Sequence, residues 1–142
     1  MPKTSNPPLL LDTHIWLWFV QGSDNLSPAM QNGLRHAALA ARLRIAAISI
    51  WEIALLVSRE RIKLGKSTLP WINEALAMSR TLLEPLSPAI AAEACELPGG
   101  FRSDLADQII VATARITDAV LVTRDRRILS YAASGNVTAR PA

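Results

Sequence analysis

The chain has 142 residues, of which 50% are hydrophobic and 19% charged, and its formal net charge is +3 at pH 7. No apolar run approaches the roughly 20 residues that span a bilayer, and the single cysteine, Cys95, excludes an intrachain disulfide and a cysteine-rich zinc site. These features exclude a disulfide-stabilised secreted domain and predict one globular domain that acts in the cytoplasm without a membrane partner.

The first elements predicted along the chain are a tail, a strand and two helices. Residues 1–7 are expected to be a flexible tail without the hydrophobic segment of a signal peptide, and 8–142 to form the single domain. "LLLD" ends a short buried strand at 8–12 with a carboxylate, Asp12. A helix is predicted at 13–20, and a second at 27–41, where Ser27 and Pro28 are typical of a helix start.

Strands and helices continue to alternate through the remainder of the chain. Strands are predicted at 43–48 and 119–123, with weaker candidates at 82–86 and 136–140. Helices are predicted at 49–60, 69–81, 88–96, 104–117 and 126–132. Short, continuously apolar strands separated by helices favour a parallel sheet covered on both faces, and the predicted fold class is therefore a three-layer α/β domain.

Carboxylates follow the predicted strands. Asp12 ends the first strand, Glu52 lies early in the helix after the second, Asp107 lies in the first turn of the helix that opens at Asp104, and Asp125 follows the third strand. The carboxyl ends of parallel strands share one edge, where open sheets bind ligands. Clustered carboxylates repel one another unless a cation neutralises them. The pattern therefore predicts a Mg²⁺ or Mn²⁺ site, since both ions prefer oxygen ligands.

Helix capping is the alternative explanation for several of these acids. Ser49 and Glu52 have the spacing of a capping box, Asp104 can cap the helix that contains Asp107, and Asp125 can cap the helix at 126–132. Capping accounts for each acid separately, but it does not explain why all of them fall at one edge of the sheet.

Four segments in order resemble the motifs of the PIN-domain ribonucleases, most closely the VapC toxins of bacterial type II toxin-antitoxin modules. They are "LLLDTHIWLW" at 9–18, "SIWEIA" at 49–54, "DLADQIIVATAR" at 104–115 and "LVTRD" at 121–125. The resemblance covers about 9–132. It implies a PIN-like sheet of about five parallel strands, Mg²⁺- or Mn²⁺-dependent cleavage of RNA, inhibition by a small VapB-type antitoxin, and a homodimer.

The resemblance also implies residue roles. The catalytic acids would be Asp12, Glu52, Asp107 and Asp125, and Asp12, Asp107 and Asp125 would hold the metal. Supporting positions match Thr13, Ser49, Asp104 and Thr123, although Asp104 can equally be a helix cap. One or two metal ions, and a housekeeping RNA-processing role in place of a toxin role, are both compatible with these motifs.

Other residues receive simpler predictions. Arg102, Arg124, Arg126 and Arg127 flank the acidic edge in sequence, and we expect contacts between this group and the RNA backbone. His14 and His36 lack metal-ligand spacing and are expected to be surface or packing groups, and Cys95 is expected to pack. Trp16, Trp18, Phe19, Trp51 and Trp71 are expected to build the core and a dimer surface.

Three rival classes use similar scaffolds. A phosphoacceptor receiver domain needs a lysine after a late strand, and the only lysines are Lys3, Lys63 and Lys66. A haloacid-dehalogenase-type phosphatase needs a second aspartate two residues after the first, where this chain has His14. A catalytically inactive PIN-like scaffold or RNA-binding module would be expected to lack one of the acids, and none is missing.

Overall fold

The computed structural model describes residues 6–142, and within them it contains one five-stranded sheet. All strand pairings are parallel, and the strand order is β3-β2-β1-β4-β5. The strands are β1 (Leu9–Leu11), β2 (Leu43–Ala46), β3 (Leu82–Glu84), β4 (Val120–Thr123) and β5 (Ala139–Pro141). The predicted parallel α/β fold with about five strands is confirmed, including both of the weaker strand candidates.

Among residues 6–142, seven α-helices surround the sheet, and each corresponds to a predicted helical segment. They are α1 (Thr13–Gln21), α2 (Pro28–Leu39), α3 (Ala47–Ser58), α4 (Thr68–Ser79), α5 (Pro88–Cys95), α6 (Leu105–Thr117) and α7 (Arg126–Ala133). The "PGG" segment forms a single 3-10 turn at Pro98–Gly100. Ser27 and Ser87 cap α2 and α5 by accepting backbone N–H bonds from Met30 and Ile90, as typical helix-start serines do.

Two apolar layers lie on opposite faces of the sheet. Leu10 points to the face covered by α5, α6 and α7, while its neighbours Leu9 and Leu11 point to the face covered by α1, α2 and α3. All three leucines are buried, as expected for a central parallel strand that is covered on both sides. The central position of β1 is what brings Asp12, the residue after it, between the ends of β2 and β4.

The structure differs from the sequence-based prediction at the start of α3 and at Cys95. The start of α3 is wrong by two residues, because the helix begins at Ala47 and Ala46 provides no side-chain cap. Cys95 is exposed, so the prediction that it packs is wrong. Of the predicted tail, residues 1–5 lie outside the described residues, while the Pro7 carbonyl accepts a hydrogen bond from Arg42 Nε at 3.0 Å. Within residues 6–142, no helix is long and apolar enough to cross a membrane.

Candidate active site

The sequence-predicted acids gather where the strand order reverses, between the carboxyl ends of β1 and β4. Asp12 follows β1, and Asp125 lies two residues after β4. Glu52 is in the second turn of α3, which leaves directly from β2, and Asp107 is in the first turn of α6. This is the position at which open parallel sheets form a ligand-binding crevice.

Thr123 connects the two acids that follow the central strands. Its buried hydroxyl donates to Asp12 Oδ2 at 2.7 Å and accepts from the Asp125 backbone N–H at 2.9 Å. Asp12 Oδ1 accepts from the Thr13 backbone N–H at 2.8 Å, which makes Asp12 the N-cap of α1. Both oxygens of Asp12 are therefore held in fixed directions. The Thr123 hydroxyl also links the Asp125 backbone to the Asp12 carboxylate.

Thr13 connects the first strand to α3. Its hydroxyl oxygen lies 2.8 Å from Ser49 Oγ and also contacts the Glu52 carboxylate at Oε1. A hydroxyl carries one proton and an ionised carboxylate can only accept, so Thr13 donates to Glu52 and accepts from Ser49. Ser49 and Thr13 are both buried, which fixes the orientation of the half-buried Glu52.

Asp107 is held by a serine that sequence reasoning missed. Ser103 Oγ donates to Asp107 Oδ2 at 2.7 Å, and the Asp107 backbone N–H donates to Asp104 Oδ1 at 2.9 Å. Gln108 fixes this serine in turn, because its Oε1 accepts from the Ser103 N–H at 3.2 Å while its Nε2 donates to the Ala94 carbonyl at 3.0 Å. The available sequence signal was a hydroxyl four residues before the acid, at the start of its helix.

Two of the acids, Asp107 and Glu52, have raised pKa values, and neighbouring carboxylates contribute to both rises. Burial raises the pKa of Asp107 from 3.8 to about 6; the Ser103 hydrogen bond lowers it, and the charges of Asp104, Asp12 and Asp125 raise it further. Burial also raises the pKa of Glu52; the Thr13 hydrogen bond opposes this, and the charges of Asp12, Asp104 and Asp107 add to the rise. No cationic side chain contributes to either shift. Glu52 and Asp107 therefore each lie close enough to several of the predicted acids to be affected by their charges.

A divalent cation fits the chemistry of this cluster. The donors are all carboxylate or hydroxyl oxygens, which are the ligands that Mg²⁺ and Mn²⁺ prefer. A cation would also offset the repulsion that raises the pKa of Asp107. Among residues 6–142, no three histidine, cysteine, aspartate or glutamate side chains lie close enough together to hold one metal ion.

The capping explanation is right for some of the acids and wrong for others. Asp104 caps α6, and Asp125 caps α7 by accepting from the backbone N–H groups of Arg127 and Ile128. The proposed capping box of Ser49 and Glu52 does not form, because α3 has already begun at Ala47. Ser49 is instead free to bind Thr13.

The four arginines that are predicted to contact RNA differ in whether their side chains have partners within the protein. Arg102, Arg126 and Arg127 are exposed and make no side-chain hydrogen bond or ion pair with any residue from 6 to 142. Arg124 is also exposed, but it contacts the ring of Trp18 and two main-chain oxygens. The first three arginines are therefore available to a ligand, whereas Arg124 is engaged within the protein.

The aromatic and histidine predictions are confirmed only in part. Trp16 is fully buried, Phe19 is 9% exposed, and Trp51 is 50% exposed on α3. His14 and His36 are both exposed, as expected for surface residues.

A concave surface lies away from the acids. We call it the α1–α2–α4 groove; it has a volume of about 570 Å³ and an apolar lining that includes Phe19, Leu39, Trp71 and Met78.

Comparison with known proteins gives consistent results. Residues 9–134 match the model of the PIN domain family. The chain is 38% identical to Ribonuclease VapC22 of Mycobacterium tuberculosis over 123 residues, covering 87% of this chain and 91% of that protein.

Solved structures with lower sequence identity share the fold. The structure of VapBC2 from Rickettsia felis bound to a promoter DNA fragment aligns with a TM-score of 0.68 at 19% identity, over 94% of this chain and 97% of that one. DNA-bound VapBC from Salmonella typhimurium aligns with a TM-score of 0.66 at 18% identity, over 95% and 98% of the two chains.

Proposed function

The chain belongs to the PIN-domain family, as a relative of the VapC ribonucleases, and we propose from this premise that it is a metal-dependent endoribonuclease and the toxin of a type II toxin-antitoxin pair. One observation carries the proposal. At the carboxyl edge of the sheet, carboxylates from different parts of the chain raise the pKa of Glu52 and of Asp107, and no protein cation contributes to either shift. Such a cluster is suited to a divalent ion and a phosphodiester.

Asp12, Asp107 and Asp125 are the residues that would hold Mg²⁺ or Mn²⁺. When bound, such an ion lowers the pKa of a water ligand and offsets negative charge on a phosphate oxygen. The protein contributes orientation, because Thr123 fixes Asp12 relative to Asp125 and Ser103 fixes Asp107. Asp104 caps α6, and its negative charge helps to raise the pKa of Asp107.

Glu52 is suited to take a proton from the attacking water. Burial and the neighbouring acids raise its pKa, which makes it a stronger base than an ordinary glutamate. The hydroxyl of Thr13 holds Oε1, and no residue from 6 to 142 donates a hydrogen bond to Oε2. The free oxygen is therefore the one that would accept the proton.

The substrate we propose is RNA, bound through its phosphates by Arg102, Arg126 and Arg127. Because water rather than the ribose 2′-hydroxyl is the attacking group in this mechanism, the preference for RNA would come from the shape of single-stranded or looped regions. Phosphate contacts of this kind weaken as salt increases. Such a protein would act in the cytoplasm, where its RNA substrates are present.

The test is a cleavage assay on total cellular RNA with Mg²⁺, Mn²⁺ or EDTA. We expect defined fragments with either metal and none with EDTA, and we expect Asp12→Asn to remove cleavage while the protein stays folded. Glu60→Gln, which neutralises an exposed acid beyond the far end of α3, is the matched control. Full cleavage by purified Asp12→Asn would contradict the assignment, and an inert wild-type protein that still binds RNA would favour the scaffold alternative.

We also propose that the α1–α2–α4 groove receives the antitoxin, an inhibitory partner with an apolar segment that carries acidic residues. Leu39 and Met78 are 67% and 78% exposed in the groove, and its polar margin includes Arg35 and Arg80. We expect a small acidic protein encoded beside the toxin to co-purify with it, and Met78→Glu to weaken that association. Retention of the partner by Met78→Glu would argue against this surface, and toxicity that no partner suppresses would favour a housekeeping nuclease.

A homodimer is the third part of the proposal, and α3 is the surface that supports it. Every residue of α3 except Ser49, Glu52 and Ser58 is apolar, yet Ile53 is the only one of its apolar residues that is buried. A helix that is apolar all round normally has partners all round. We expect a dimer by light scattering, and Trp51→Glu, at a position that is 50% exposed, to shift the protein towards monomer. A monomeric wild type at micromolar concentration would contradict the dimer.

A further inference from the structure

The guanidinium of Arg124 is held by three separate segments of the protein. Its Cζ lies 4.9 Å from the ring centroid of Trp18 on α1. Its Nη2 donates to the carbonyl of Asn25 in the loop between α1 and α2, and its Nε donates to the main-chain oxygen of Ala142 at 3.2 Å. Stacking on an aromatic face while donating in two directions is a geometry that a planar guanidinium provides and a lysine ammonium does not.

Arg124 lies between two residues of the candidate active site. Thr123, on one side, places its hydroxyl between Asp12 and the Asp125 N–H. Asp125, on the other side, caps α7. The backbone of this segment is also tied by Ala142, whose N–H donates to the Thr123 carbonyl at 3.2 Å. A clamp on Arg124 therefore acts on the geometry of both acids.

We propose that Arg124 is a positioning residue, whose guanidinium clamps residues 123–125 against α1 and the loop after it and so holds Asp12 and Asp125 in their working arrangement. This inference rests on the proposed function and replaces the expectation that Arg124 contacts RNA. Arg126, two residues away, provides the contrast, because it is exposed and makes no side-chain hydrogen bond or ion pair within residues 6–142.

The kinetic test compares Arg124→Ala and Arg124→Lys with Arg126→Ala in RNA cleavage. For Arg124→Ala we expect kcat to fall by about tenfold or more, as is usual when a group that orients metal ligands is lost, with KM and salt dependence close to wild type. Arg124→Lys is expected to restore little, because an ammonium cannot stack and reach both main-chain oxygens. Arg126→Ala should instead raise KM and lower the salt slope by about 0.7–0.9.

A second test needs no catalysis. Mn²⁺ binding is measured by calorimetry for wild type and for the two alanine variants. Each variant loses one positive charge from the same segment, and this loss alone strengthens Mn²⁺ binding. We expect weaker Mn²⁺ binding only in Arg124→Ala, and a smaller weakening in Trp18→Leu, which removes the stacking surface.

The possible results separate the alternatives. A higher KM for Arg124→Ala, a lower salt slope and rescue by lysine would make Arg124 an RNA contact and overturn the proposal. A lower unfolding temperature with unchanged kcat and unchanged Mn²⁺ affinity would reduce Arg124 to a purely structural role and also overturn it. If the wild type binds Mn²⁺ but does not cut RNA, the proposed function fails while the Mn²⁺ affinities still decide the role of Arg124. A wild type that binds no Mn²⁺ overturns both.

Discussion

Neutralising Asp107 should stabilise the metal-free protein while it abolishes cleavage. The pKa of Asp107 rises from 3.8 to about 6 on folding, because burial and the nearby acids disfavour its charge. A rise of about 2 units corresponds to an upper limit of about 3 kcal/mol of destabilisation when the group is ionised. Asp107 is partly exposed, so solvent screening reduces this cost to about 1–2 kcal/mol. Asp107→Asn removes the charge and retains an acceptor for the Ser103 hydroxyl.

The sign of the pH dependence follows from the raised pKa. Between about pH 4 and pH 6, the native protein holds a proton on Asp107 that the unfolded chain has released, so stability falls as pH rises through this window. We therefore expect Asp107→Asn to exceed the wild type by about 1–2 kcal/mol at pH 8. The difference between the two proteins should be small near pH 4 and vanish at lower pH, where Asp107 is protonated in the unfolded state as well.

The assay is urea unfolding in EDTA at pH 4 and pH 8, with Glu60→Gln as the charge-matched control. Added Mn²⁺ should stabilise the wild type and reverse the order of the two proteins at pH 8, because a ligand that binds only the native state adds to its stability. Equal stability of wild type and Asp107→Asn at pH 8 in EDTA would refute the electrostatic argument. A Mn²⁺ response of equal size in both proteins would refute the role of Asp107 in holding the ion.

The remaining predictions address individual contacts. Thr123→Val keeps the volume of the side chain but leaves Asp12 and the Asp125 N–H without a buried partner; unfolding in urea should show a loss of about 1–3 kcal/mol, and cleavage should fall. Asp125→Asn should keep the cap and lose cleavage, whereas Asp125→Ala should also lose about 1 kcal/mol of stability; full cleavage by the asparagine variant would reduce Asp125 to a cap. Ser87→Ala should cost about 1 kcal/mol through the lost cap of α5 without changing kcat. Cys95 is exposed, so it should react with a thiol reagent in the native state, and a reaction that needs denaturant would contradict its exposure.

The convergence of the acids could be predicted because topology alone produces it. Short apolar runs separated by helices imply parallel strands, and parallel strands bring their carboxyl ends to one edge. Asp12 and Thr123 are 111 positions apart in sequence, yet each could be assigned to that edge without knowledge of the strand order. The prediction of the fold class and of the candidate site therefore needed only two steps, from the apolar runs to parallel strands and from parallel strands to a shared carboxyl edge.

Side-chain partners were harder to predict, because the sequence pattern does not say where the backbone turns. The spacing of Ser49 and Glu52 suits a capping box only if the helix starts at Ser49, but the chain enters α3 straight from β2 at Ala47. The contact between Arg124 and Trp18 depends on how α1 packs beside the end of β4, and no local periodicity encodes that distance. Ser103 was missed for a similar reason, since its role depends on the path of the loop before α6.

Capping and ligand binding are compatible for these acids, because each carboxylate uses only one of its oxygens within the protein. Asp125 Oδ1 accepts from the N–H groups at the start of α7, and no residue from 6 to 142 donates to its Oδ2. Asp107 Oδ2 accepts from the Ser103 hydroxyl, and its Oδ1 has no donor among the same residues. A carboxylate that is fixed through one oxygen presents the other in a set direction, which lowers the entropic cost of binding a ligand. The N-terminal ends of α6 and α7 at the edge of the sheet therefore carry these acids and also fix the orientation of their carboxylates.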